Sequence, residues 1–239
     1  MTQRDTLLKS RYRKTPALDD ATIHSSMLNA IIDQRLPPGT RLIEAELCDI
    51  YGTSRRNIER VLVRLETEGV VTIERNRGAR IAQPTPRDAA NIFALRKLVE
   101  SEVIRLLSGK ISEPPESRIR AALLEEQKAP SDQNDRMHIH HSGEFHVILA
   151  EECGNAEITS LIRRLVARTS LVTQLFGNDR ALECWHEEHL LLVDLLVSGA
   201  TEKASDLMLA HLNSIEGELR LSEPKEAELD LRNALLRTK

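Results

Sequence analysis

Two prolines one residue apart, in Gln83-Pro84-Thr85-Pro86, interrupt any regular element that would cross them. Each fixes φ, removes an N–H and pushes the residue before it out of the helical region. The 239-residue chain is therefore read as two units. Residues 18–83 form the first, 84–90 a stiff linker and 91–221 the second, with a basic arm over 1–17 and a charged tail over 222–239. At 41% hydrophobic residues the chain can fill both cores. Aromatics are only 3%, and the abundance of Leu, Ala, Glu and Arg favours helix, where unbranched side chains lose little freedom.

The front unit carries punctuation of its own. Ile23, Met27, Leu28, Ile31 and Ile32 recur at helical spacing behind Asp19 and Asp20, and the helix must stop before Pro37-Pro38-Gly39. A short helix from about Glu44 to Tyr51 follows. Gly52-Thr53-Ser54 supplies a turn and a cap for a third helix over Arg55–Glu68. Val70–Ile73 and Ala79–Ala82 read as strands around the basic tip Glu74-Arg75-Asn76-Arg77-Gly78. Helix, turn, helix and basic hairpin together make a winged helix-turn-helix.

On the third helix, Ile58, Val61, Leu62 and Leu65 share one arc, and Arg56, Arg60 and Arg64 form a row roughly opposite. One side packs while the other offers guanidinium groups to phosphates or guanine edges. Thr53, Ser54, Arg55, Arg56 and Asn57 lie at the start of that helix, the part that enters a major groove first. The charge distribution agrees: residues 1–87 hold 15 Lys and Arg against 11 Asp and Glu, and the remainder 18 against 26. A basic front on a chain of net charge −4 is where a polyanion docks.

Behind the prolines, helices are expected near 87–109, 115–129, 135–152, 156–177, 180–198 and 201–221, a six-helix antiparallel bundle in a mainly α fold. His146, His189 and His211 each fall on the apolar side of a different helix. Three inward imidazoles can converge on a divalent cation such as zinc, although an inward histidine can also be a hydrogen-bonded core residue. His138, His140, His141 and His186 are read as surface residues. Arg96 has two readings, a clamp for a carboxylate and a salt bridge to Glu100 one turn on. Cys48, Cys153 and Cys184 form no CxxC pair, no window is apolar enough to span a membrane, and a reducing cytoplasm fits.

Pro37-Pro38-Gly39-Thr40-Arg41-Leu42, Glu46-Leu47, Tyr51 to Arg55, Leu62 to Glu66, Gly69-Val70-Val71 and Asn76 to Ala79 resemble, in order, the winged helix of the GntR superfamily. Leu95 to Glu100, Phe145-His146, Gly154-Asn155, His189 and His211 resemble the FCD ligand-binding domain of its FadR-like branch. The resemblance implies a regulator and not an enzyme: a homodimer on a palindromic double-stranded DNA operator, repressing until a small carboxylate metabolite binds the bundle. It places Arg77 and Gly78 at a wing tip reaching the minor groove, and Arg96 in the effector pocket. Two departures stand out. Glu59 occupies a place where the family commonly has a DNA-facing Arg, which implies an altered operator preference. The family's metal-ligand Asp in Asp-x-x-Phe-His is here Ser142, which weakens the case for a cation. Coupling through the Pro84/Pro86 connector is the expected route of regulation. A metal-dependent hydrolase built on the three histidines, and a constitutive DNA binder with a structural bundle, are the alternatives.

Overall fold

Asp19 starts the described fold by accepting the Thr22 N–H at 2.7 Å, which satisfies an amide with no partner inside the helix. The computed structural model describes residues 18–75, 77–111, 115–128, 135–177 and 183–221; the arm over 1–17 and the tail over 222–239 lie outside them. Helix α1 (Asp20–Ile32) buries Ile23, Met27, Leu28, Ile31 and Ile32, the stripe that the periodicity marks. Strand β1 (Arg41–Leu42) follows, then α2 (Glu44–Tyr51), α3 (Arg55–Thr67), β2 (Val71–Glu74) and β3 (Gly78–Ile81). The sheet order is β1-β3-β2, with both pairings antiparallel and Ile73 opposite Ala79. β1 was not expected, since two residues carry no alternation; it exists because Arg41 and Leu42 pair with Arg80 and Ala79.

Among the described residues, six further helices fill the rear: α4 (Pro86–Leu107), α5 (Pro115–Lys128), α6 (Asp135–Glu152), α7 (Ala156–Phe176), α8 (Glu183–Val197) and α9 (Thr201–Gly217). The fold is mainly α with a small sheet as the wing. The expected linker over 84–90 is mostly helix. Thr85 caps α4 in a reciprocal box with Asp88, and Pro86 takes the first helical position, where its missing N–H costs nothing. The second proline thus starts a helix instead of extending a connector. The last helix ends at Gly217, short of the expected 221.

The two units are packed together. Helix α1 lies on α3 of its own unit and also on α7 of the bundle. The Ser170 hydroxyl donates toward the Ile31 and Ile32 carbonyls at 3.0 and 2.9 Å, and Gln34 Nε2 donates to Thr173 Oγ1 at 3.4 Å. No helix among the described residues is long and apolar enough to cross a membrane.

Candidate functional site

The candidate DNA-binding surface is built around the turn between α2 and α3. Gly52 closes α2 with φ 62°, a left-handed conformation that costs glycine nothing. Ser54 accepts the Asn57 N–H at 3.3 Å, and the Asn57 amide donates to Thr53 Oγ1 at 3.0 Å. Ile58, Val61, Leu62 and Leu65 are all buried, so the opposite side of α3 must face outward.

The arginines on that side differ in their surroundings. Arg56 is exposed and has no ion pair among the described residues. Arg60 pairs with Asp20 at 2.6 Å and Arg64 with Glu68 at 3.3 Å, each more than half exposed. Arg55 contacts Glu44 at 2.5 Å and Glu59 at 3.2 Å. Glu59 therefore has an i,i+4 cation beside it, which offsets the carboxylate's repulsion of phosphates. At the wing tip Arg77 is 79% exposed, and its nearest carboxylate, Glu74, is 3.6 Å away; Gly78 beside it has φ 84°. A groove of about 520 Å³ runs between wing and α2, lined by Arg41, Arg55, Arg77 and Gly78 among others. Arg41 was missed from the sequence: its place on this groove follows from the unforeseen β1.

Within the bundle, His146 on α6, His189 on α8 and His211 on α9 meet, all buried. The Nε2 atoms of His189 and His211 are 3.1 Å apart, and those of His211 and His146 3.3 Å. Each outer nitrogen faces a carboxylate: His146 Nδ1 and Glu100 Oε2 at 2.5 Å, His189 Nδ1 and Glu126 at 3.1 Å, and His211 Nδ1 and Glu188 Oε2 at 2.7 Å. A carboxylate oxygen can only accept, so each Nδ1 carries the proton and each Nε2 turns a lone pair inward. Burial, the strongest influence, drives His146 down to about 3 and also lowers His189. Burial pulls Glu100 and Glu126 upward, but Arg96 and His146 hold Glu100 near 2, and His189 with His186 holds Glu126 low. Of the three carboxylates, only Glu100 has a guanidinium beside it among the described residues, Arg96. That leaves two negative charges around three converging lone pairs, a fit to a divalent cation that prefers nitrogen donors.

Arg96 satisfies both of its readings at once. Its Nε donates to Glu100 Oε1 at 2.6 Å, with both side chains 3% exposed. Nη1 reaches Thr169 Oγ1 at 3.4 Å, and Nη2 is buried with no partner among the described residues. Arg96 lines a cavity of about 30 Å³ with His146, Ser142, Thr169, Trp185 and Ile32, room for about two waters. Trp185 Nε1 is a second buried donor without an acceptor among the described residues. Ser142 is buried at this cavity, one turn from His146.

Two histidines read as surface residues have partners on other elements, although the His140 side chain is still 35% exposed. His140 Nδ1 lies 2.5 Å from Asp33 Oδ1, and His186 rests on Glu126 at 3.1 Å with an 18% exposed side chain. The first partner belongs to the front unit and the second to α5, which their own helices could not reveal. His141 lies edge-on to His140 with ring centroids 4.8 Å apart. The side chain of His138 lies outside the described residues.

Residues 21–81 match the gntR family of bacterial regulatory proteins and residues 91–214 match the FCD domain. The Nta operon transcriptional regulator of Aminobacter aminovorans is 27% identical over 177 residues, covering 73% of this chain and 82% of that one. The transcriptional repressor GlaR of Escherichia coli K12 is 24% identical over 200 residues, covering 77% and 88%. The crystal structure of a GntR transcriptional regulator from Rhodococcus sp. RHA1 superposes with a TM-score of 0.72 at 24% identity, covering 83% of this chain and 95% of that chain.

Proposed function

Because the chain belongs to the GntR family of transcription regulators and carries its FCD effector-binding domain, we propose that it is a cytoplasmic repressor released by a small organic acid. That family is one of DNA-binding regulators, so the hydrolase reading of the three histidines is set aside. Repression is favoured by the relatives whose names include the word, GlaR and the NanR proteins of Salmonella.

The effector class rests on one observation above all: Arg96 keeps an unpartnered, buried Nη2 at a cavity beside the histidine triangle. A buried donor left unpaired is costly, and an oxyanion is the partner that best relieves a guanidinium. His146, His189 and His211 would hold zinc or a similar divalent cation, with Ser142 standing where the missing carboxylate ligand would be. When bound, that cation supplies positive charge for the effector's second oxygen. Arg96 orients the carboxylate, Glu100 keeps both Arg96 and His146 in position, and the buried walls exclude water.

For DNA, the reading assigns Thr53, Ser54, Arg55, Arg56 and Asn57 to the groove, Arg60 and Arg64 to phosphates, and Arg77 with Gly78 to the wing contact. A homodimer would place two α3 helices on a palindromic operator. The test is a thermal-shift screen of short carboxylates with and without zinc, followed by DNA-binding assays with each stabilising acid. A hit whose stabilisation needs Arg96 and which weakens DNA binding is the expected result. An acid that binds the bundle yet leaves DNA affinity unchanged would refute the reading.

A further inference from the structure

The effector cavity does not belong to the bundle alone. Ile32, the last residue of α1 in the DNA-binding unit, lines it together with Arg96, Ser142, Gly143, His146 and Val166. Ile32 is 3% exposed, and it is held there in three ways. The Ser170 hydroxyl on α7 donates in a forked hydrogen bond toward the carbonyls of Ile31 and Ile32 at the end of α1, where Ile31 also accepts the Gln34 N–H at 3.0 Å. Gly143 on α6 leaves the room: a Cβ built there would come within 2.9 Å of Val166 Cγ1 and 3.7 Å of Ile32 Cγ2. Gln34, two residues on, takes φ 54°, a conformation strained for a residue other than glycine, and its amide reaches Thr173 on α7.

The other end of the same helix holds the recognition helix. Asp20 pairs with Arg60 at 2.6 Å, and His24 Nε2 lies 2.7 Å from Glu68 Oε2. At 13 residues, α1 is a rod about 20 Å long, with the cavity at its C-terminal end and α3 along its N-terminal half.

We infer that Ile32 is a movable wall of the effector site, so that a ligand larger than the cavity displaces α1 and, through Asp20 and His24, shifts α3 directly. This rests on the proposed effector binding in that cavity. It differs from transmission through Pro84 and Pro86, because the element that moves is itself in contact with the ligand. A cavity with room for about two waters has no space for an acid of more than a few heavy atoms unless a wall yields. Ile32 is the lining residue contributed by the DNA-binding unit.

Trp185, the single tryptophan of the chain, lines the same cavity and reports on it. Acrylamide quenching of its fluorescence is measured in the full-length chain and in Ile32→Ala, Ile32→Val and the exposed control Asn29→Ala, without any ligand. Opening the wall should raise the quenching constant about twofold in Ile32→Ala, less in Ile32→Val, because cavities left by truncation only partly collapse; Asn29→Ala should match the wild type. Acetate and citrate, each with zinc, are then the binding probes, read by the same fluorescence and by the affinity for a duplex selected by the wild-type chain from a random library. The bound probe should weaken the wild-type complex with DNA and lose most of that effect in Ile32→Ala while binding it at least as tightly. Wild-type quenching in both Ile32 variants, or a DNA response in Ile32→Ala as large as the wild type's, would overturn the inference. If no probe binds any variant, it is the proposed effector class that fails, and the quenching arm still decides whether Ile32 walls the cavity.

Discussion

Zinc added to metal-stripped protein should raise its melting temperature, and Glu126→Gln should remove at least about half of that rise. Glu126 is 2% exposed and lies 3.1 Å from His189 Nδ1 with both oxygens, so it fixes which nitrogen of that ring turns toward His211. Loss of such an outer partner weakens metal binding by about 10- to 100-fold. At free zinc about a hundred times the wild-type Kd, binding stabilises the folded state by about 2.7 kcal/mol. For a chain of this size that is a rise of about 5–11 °C. In Glu126→Gln the same zinc concentration then contributes only about 1.4 kcal/mol for a tenfold loss, or about 0.4 for a hundredfold loss. The quantity to compare is the zinc-induced shift in differential scanning calorimetry, since the substitution also alters the metal-free baseline. His211→Ala, which removes one of the three converging nitrogens, should show no shift. A wild-type melting temperature indifferent to zinc, or a full shift retained in His211→Ala, would refute the cation site.

Arg60→Ala should weaken binding to all DNA sequences about equally and reduce the slope of log affinity against log salt by about 1; a changed sequence preference with an unchanged slope would instead make Arg60 a base reader. Arg96→Met should abolish the response to carboxylates and destabilise the chain by about 3–5 kcal/mol, because Glu100 is left buried without its guanidinium; denaturant unfolding measures it, and a loss under 1 kcal/mol would contradict the burial argument. His140 is held above its ordinary 6.5, chiefly by its hydrogen bond to Asp33, against a burial that lowers it; Glu144 adds to the rise and Arg35 opposes it. A raised folded value means stability present in full below about 6.5, the unfolded value, and lost as pH rises from there through the higher folded value. Asp33 is lowered although burial pulls it upward, because His140 and Arg35 outweigh that pull, so its own share is lost only in acid. Between pH 6 and 9 the wild-type melting temperature should therefore fall more than that of His140→Gln, and parallel curves would show that the pair adds nothing.

How much of this was legible in the sequence depends on whether the cause is local. The buried arc Ile58, Val61, Leu62 and Leu65 could be read because a 3.6-residue period is set by one helix alone. The cap at Ser54 and the turn at Gly52 were legible for the same reason. The inward direction of His146, His189 and His211 followed from their own apolar neighbours. What they touch did not: Glu126 reaches His189 from α5, 63 positions earlier in the chain, and only tertiary packing joins them. A trace was present all the same, since Glu126 continues the buried stripe of Ile119 and Leu123, and a carboxylate in a core stripe needs a partner. Arg96 and Glu100 interrupt the stripe of Ile92, Phe93 and Val103 in the same way. The partner of His140 was not legible because Asp33 belongs to the other unit. The pairing of Arg60 with Asp20 likewise depends on how α1 lies across α3.

Glu100 makes the two halves of the sensor interdependent. One of its oxygens takes the Arg96 Nε–H and the other the His146 Nδ1–H, all within a buried region where a charge is weakly screened. Removing positive charge from the histidine side would weaken the His146 hold on Glu100 and leave it leaning more on Arg96, drawing the guanidinium toward itself. Positive charge at His146 would share that carboxylate and leave Nη2 freer to meet an incoming oxyanion. The salt bridge and the clamp are thus two uses of one side chain, set by how Glu100 divides itself. By linkage, a cation that improves carboxylate binding must itself be bound more tightly when the carboxylate is present. Measured as a cycle, acid affinity with and without zinc and zinc affinity with and without acid should change by the same factor. That factor should collapse toward one in Glu100→Gln, which keeps the shape and removes the shared charge.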